Sequence, residues 1–204
     1  MKQLFRFFLI GIFAVIALAG QARAETLSSD DATKFVKALS DVEVFSNRLH
    51  EEGKDKILND ALQPAPGDKS YAPYLKGTEI MKDKLPSDYK NLGEIVSKHG
   101  FKSQEEWAKA GDSVMLAYMA IKIDAENPGA LKQLQDIPAE TKAKMDPATK
   151  AQLQQSINMM EIFTSAPQKN RDAVKPHVKE INAWLERSKA EKKPPAADKK
   201  KSAE

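Results

Sequence analysis

The chain has 204 residues, 41% of them hydrophobic and 30% charged, with 32 Lys+Arg, 29 Asp+Glu and no cysteine. That balance suits a globular chain rather than a collagen-like or wholly disordered one. Without a thiol there is no disulfide, thiolate metal site, cysteine-attached haem, lipoprotein anchor or cysteine nucleophile. The formal charge of +3 belongs to the ends of the chain: Lys2, Arg6 and Arg23 precede any acid, and Ser188–Glu204 holds six lysines against Glu191, Asp198 and Glu204. The body between them is slightly acidic, which argues against a nucleic-acid partner.

Residues 1–24 read as an export signal. Met1–Arg6 is basic, Phe7–Gly20 carries no charge, and Ala22-Arg23-Ala24 places small residues where a signal peptidase reads them. Cleavage is expected between Ala24 and Glu25. The apolar stretch falls short of the roughly 20 residues a spanning helix needs, and no later window approaches that length. The expected mature chain therefore has no transmembrane segment and is periplasmic or secreted, held together by its core alone.

Residues 25–187 read as one all-helical domain. No Val/Ile/Thr run alternates over a strand's length, and no Asn-Gly or Asp-Gly hairpin turn occurs. Ser28-Ser29-Asp30-Asp31 offers an N-cap with acids in the first turn. Phe35, Leu39, Val42, Phe45 and Leu49 then form one apolar stripe, and Gly53 marks the stop. Lys54–Gln63 continues as a short helix before the Pro64–Asp68 loop. Tyr74, Leu75, Met81 and Leu85 suggest a weaker helix ended by Pro86. Ser87-Asp88 restarts the chain, which runs to Gly100 with Phe101 folding back behind it.

Ser103-Gln104-Glu105-Glu106 is a capping box that opens a helix over Gln104–Glu126. Trp107, Val114, Tyr118, Ile121 and Ala125 share one face of it, while Leu116, Met119 and Ile123 lie opposite. Ser113–Ile121 carries no charge, and a helix apolar all round is a buried one. We therefore expect a helical bundle around a central helix at about 104–126. Asn127-Pro128-Gly129 ends that helix, and a short segment, Ala130–Asp136, follows. Asp146-Pro147 then starts a helix striped with Leu153, Ile157, Met160 and Phe163. Val174, Val178, Ile181 and Leu185 align in the last helix, which Pro176 either kinks or begins. Ser188–Glu204, rich in Lys, Glu, Pro and Ala, is expected to be a disordered basic tail able to touch anionic envelope surfaces.

His99-Gly100-Phe101, Glu106-Trp107-Ala108, Gly111-Asp112, Ala117-Tyr118 and the stretch from Ala166-Pro167 to Pro176-His177 resemble a pattern in small exported all-helical proteins of proteobacteria. The resemblance covers roughly residues 28–187. It implies the fold and the compartment, and no activity.

No motif for catalysis, metal or cofactor is visible. His50-Glu51-Glu52 cannot chelate one ion, because adjacent helical residues point in different directions. His99 sits where a basic ring suits a helix C-terminus. No phosphate loop, dinucleotide fingerprint or nucleophile elbow is present. Trp107, Asp112 and Tyr118 are the candidate ligand-binding residues. The two aromatics on one stripe fit an apolar cleft as well as a core, and Asp112 borders the charge-free stretch, where it is either functional or a solvated or Lys-paired acid. The expected function is a periplasmic binding or interaction module, without a cofactor, for an unknown protein or small apolar ligand. The alternatives are a chaperone-like adaptor using an amphipathic groove and a hydrolase with a carboxylate-based site.

Overall fold

The computed structural model describes residues 26–61 and 72–191. The expected export signal, its Ala24/Glu25 cleavage point, the Pro64–Asp68 loop and residues 192–204 lie outside these. Within them all regular structure is helical: α1 Ser29–Glu51, α2 Asp55–Ala61, α3 Pro73–Lys84, α4 Pro86–Lys98, α5 Gln104–Glu126, α6 Ala130–Gln135, α7 Ala139–Ala143, α8 Pro147–Thr164, α9 Gln168–Val174 and α10 Val178–Glu191. A 3-10 turn at Lys175–His177 joins the last two.

Local chemistry sets the boundaries. Ser28 caps α1 by accepting from the Asp31 N–H at 3.0 Å, and Asp146 caps α8 through the Thr149 N–H at 3.0 Å. Helix α4 ends in a Schellman arrangement, with Phe101 N–H on Val96 O and Gly100 N–H on Ser97 O. Gly100 takes φ +87° there, a left-handed conformation that costs a residue with a Cβ roughly 1–2 kcal/mol. Ser103 then accepts from the Glu106 N–H at 3.1 Å. Glu106 reaches back one residue beyond the cap, accepting from the Lys102 N–H at 2.6 Å.

Helix α5 is the centre of a single bundle and touches α1, α3, α4, α8 and α9. Trp107, Ala108, Ala110, Gly111, Val114, Met115, Ala117, Tyr118 and Ala120 are all buried. The core around them is closed by Phe35 and Leu39 of α1, Val96 of α4, Val174 of α9 and Ile181 of α10. Burial is not uniform around α5. Leu116, Met119 and Ile123, the face opposite Trp107, are half-buried, because the flanking helices do not fully close over that side.

The structure departs from the sequence reading at four places. Pro86 opens α4 as its first residue instead of merely ending α3, since its fixed φ suits a helix start. Helix α7 is an element that periodicity does not predict, because its five residues carry no apolar stripe. Pro176 falls in the 3-10 turn, so the last helical run divides into α9 and α10. The first four residues of the expected basic tail, 188–191, are helical, because α10 continues to Glu191. Ser188 is half-buried there and donates to Glu43 Oε1 at 2.5 Å.

The approach of α1 to α5 is set by Gly111. A Cβ at this position would lie 2.5 Å from Cε2 of Phe35, whose ring is fully buried. Replacing a mid-helix glycine by alanine ordinarily stabilises by about 1 kcal/mol. Here Gly111→Ala should reverse the sign and lower the unfolding free energy by about 1–3 kcal/mol through overpacking. Urea unfolding beside the parent measures this, and a stabilised variant would show that α1 has room to retreat.

Candidate functional site

Asp112 is the one acid on the charge-poor part of α5, and its sequence context left two bland outcomes open: solvated or paired with lysine. It is neither. Its side chain is buried, and its two oxygens accept the N–H groups of Tyr74, at 2.8 Å, and Leu75, at 3.1 Å. Those are the first free amides of α3, because Pro73 occupies N1 and Ala72, in the cap position, has no side chain that can accept them. Asp112 therefore caps α3 from a different helix. The positive end of α3 also favours a negative charge at this point.

Tyr74 carries this contact into the aromatic core. Its ring meets Trp107 edge-on, with centroids 5.4 Å apart, and meets Phe35 edge-on at 5.5 Å. Phe35 and Trp107 stack at 5.8 Å with 28° between their planes. Such pairs add about 0.5–1.5 kcal/mol each beyond the area they bury. The Trp107 indole N–H is covered and has no hydrogen-bond partner among the described residues.

Tyr118 lies three turns further along α5 and belongs to a different contact. Its hydroxyl donates to Oδ1 of Asn182 at 2.5 Å, tying α5 to α10. The structure thus joins Trp107 and Asp112 through Tyr74 and leaves Tyr118 apart from them. Residue spacing marks Phe35 and Tyr74 only as apolar members of their own helices and does not mark Asn182; that they meet these side chains is decided by the packing. One signal for Tyr74 is present in the chain: Pro73 follows Ala72, so this helix start has no local cap and must find one elsewhere.

Burial pushes the Asp112 carboxyl from its ordinary 3.8 up to about 7, while the two backbone N–H groups pull it back. Burial, reinforced by the nearby Asp112 charge, raises the Tyr74 hydroxyl. Burial also pushes Tyr118 up to about 12, helped by Glu126 and Glu186. At Glu105 the sign is opposite: the Tyr89 hydroxyl, donating at 2.5 Å, leads the causes that hold this acid down at about 2.

The remaining chemical candidates are dispersed. His50 bonds Asp55, His99 bonds Asp41 and His177 bonds Thr33, at three separate junctions of α1. Among the described residues no cluster of three or more His, Asp or Glu side chains could hold a metal. Asp112 is buried, and each of its oxygens accepts a main-chain N–H at the start of α3, so its first role in this fold is that of a helix cap.

Two surface clefts stand out among the described residues. One, of about 310 Å³, lies between α5 and α9 over Ile121 and Ala125, with Asp124, Arg171, Asp172 and Lys175 around it. Arg171 is fully engaged there: Nη1 meets Asp124 Oδ2 at 2.6 Å, and Nε and Nη2 donate to the carbonyls of Ala166 and Thr164. Lys175 makes no ion pair among the described residues. The other cleft, of about 250 Å³, lies between α1 and α10. Neither is lined by Trp107, Asp112 or Tyr118.

No protein-family model, curated protein or solved structure matches the chain.

The pH dependence of Asp112 follows from its shift. Because its acidity is weaker in the folded protein, folding favours the protonated form. That contribution is complete below about pH 4 and is lost as pH rises through about 7. The parent should therefore lose stability relative to Asp112→Asn between about pH 4 and pH 8, by about 1–4 kcal/mol. Paired urea titrations across that range test it. A constant difference between the two proteins would mean that the α3 amides keep Asp112 ionised throughout.

Proposed function

We propose that the chain is an exported binding module whose partner contacts lie on its helix surfaces, with Trp107, Asp112 and Tyr118 acting as scaffold. The observation carrying this reading is the engagement of those three side chains. Asp112 is consumed as a helix cap, Trp107 is enclosed by Phe35 and Tyr74, and Tyr118 is bonded to Asn182. The α5–α9 cleft is the more suitable contact point. Its apolar floor of Ile121 and Ala125 sits beside the Lys175 ammonium, a combination that suits a partner or small ligand with an apolar body and an acidic group.

The export reading rests on the order of basic, apolar and small residues in 1–24. No described helix is long and apolar enough to cross a membrane, which is compatible with a chain released after cleavage. The enzymatic alternative, a carboxylate-based hydrolase, has less support, because the buried acid closest to neutral acidity is shielded by α3.

Two measurements test the proposal. N-terminal sequencing of the exported protein should begin at Glu25, and a mature chain that starts at Met1 defeats the export reading. A photo-crosslinking residue at Lys175 should capture a partner or ligand in the cell envelope, whereas one at exposed Lys98 on α4 should not. Equal labelling from both positions, or none from either, would remove the α5–α9 cleft as the contact point.

A further inference from the structure

Helix α10 keeps Ile181 in the core, with Val178 and Leu185 packed against it. Its flank beside α1 carries exposed Glu180, Ala183 and Arg187 and half-buried Trp184, which packs in part against the core, at spacings of three, one and three, so these four share a face. They form one wall of the 250 Å³ cleft, whose other wall is Val36, Leu39 and Ser40 of α1. Four residues beyond Ser40 on the same side of α1 stands Val44. At 69% exposure it is the most exposed large apolar side chain among the described residues.

The charges on this face are arranged with a two-fold pattern. Glu180 and Arg187 stand seven residues apart, about 10 Å along the helix axis, with Ala183 and Trp184 midway between them. Arg187 has no ion-pair partner among the described residues. Glu180 has only His177 within ion-pair reach, at 3.8 Å. The two are too far apart on one helix to neutralise each other. A second α10 laid antiparallel across the Ala183–Trp184 centre brings each Glu180 opposite the other chain's Arg187, twice over.

We propose that this face is a self-association surface, with a second copy of this chain as its occupant. The proposal does not depend on the binding function suggested above. A contact related by a two-fold axis must be complementary to itself, and a short helix face with opposite charges at its two ends and exposed Ala183 and half-buried Trp184 between them meets that condition. The small Ala183 side chain permits close helix approach, while Trp184 and Val44 supply apolar area. One helix face with its flank buries less than the roughly 1,600 Å² of a standard stable interface, so the dimer is weak and dissociates on dilution.

Sedimentation velocity of the protein as isolated, over a wide micromolar range, tests this. The parent should shift from monomer to dimer with concentration. Glu180→Arg and Arg187→Glu should each weaken self-association about tenfold or more, because like charges then face each other at both ends. Mixing the two variants should restore association, since one chain then carries arginine at both ends of the face and the other carries glutamate at both. Unchanged urea midpoints would show that the variants keep their fold, as expected for exposed side chains. A parent that stays monomeric at every concentration overturns the proposal. So does association that survives the single reversals, or a mixture that fails to associate.

Discussion

The absence of a side chain at residue 111 allows the rest of the structure to assemble. It lets the buried Phe35 ring of α1 approach the backbone of α5, and that ring is one side of the cluster formed with Trp107 and Tyr74. Tyr74 in turn brings the start of α3 against α5, where the neighbouring residue, Asp112, receives its free amides. One glycine and the acid beside it thus place two other helices on the central one. Dispersion and apolar burial provide most of the energy of this junction, and the Asp112 contacts add direction.

The other buried polar side chains show the same economy. Asp88, at the start of α4, accepts from Arg48 of α1 at 3.1 Å and from Lys54, just before α2, at 2.9 Å. Asn170 of α9 accepts the Leu27 N–H at 3.0 Å and fastens the chain just before α1. The Asp88 and Asn170 side chains, removed from water, have each met a donor from a distant segment, which offsets the cost of burying them. In a fold with no disulfide, these contacts define which helix faces which.

Signals were legible where the physics is local. The Ser28 and Asp146 caps, the Gly100–Phe101 corner and the Ser103 capping box involve residues within a few positions of each other. The structure places them where their spacing indicates. Helix α5 begins and ends at Gln104 and Glu126, because capping at one end and Asn127-Pro128-Gly129 at the other are written in the chain. The stripe of α10 was legible too, but its junction with α9 was not. Pro176 is compatible with either a kink or a new helix, and packing selected the 3-10 turn.

The helical class and the central place of α5 could be read from the chain alone, because periodicity and capping depend on neighbours three or four residues away. Trp107, Asp112 and Tyr118 also stood out there as unusual members of that helix. What they touch is a property of the packed fold. Asp112 and the amides it caps are 37 and 38 residues apart in the chain, and Tyr118 and Asn182 are 64 apart. Spacing along a helix specifies the side on which a residue stands but not which helix lies against it. Which rings stand beside Trp107 was therefore decided by the tertiary structure, where Phe35 and Tyr74 arrive from α1 and α3 to pack against it.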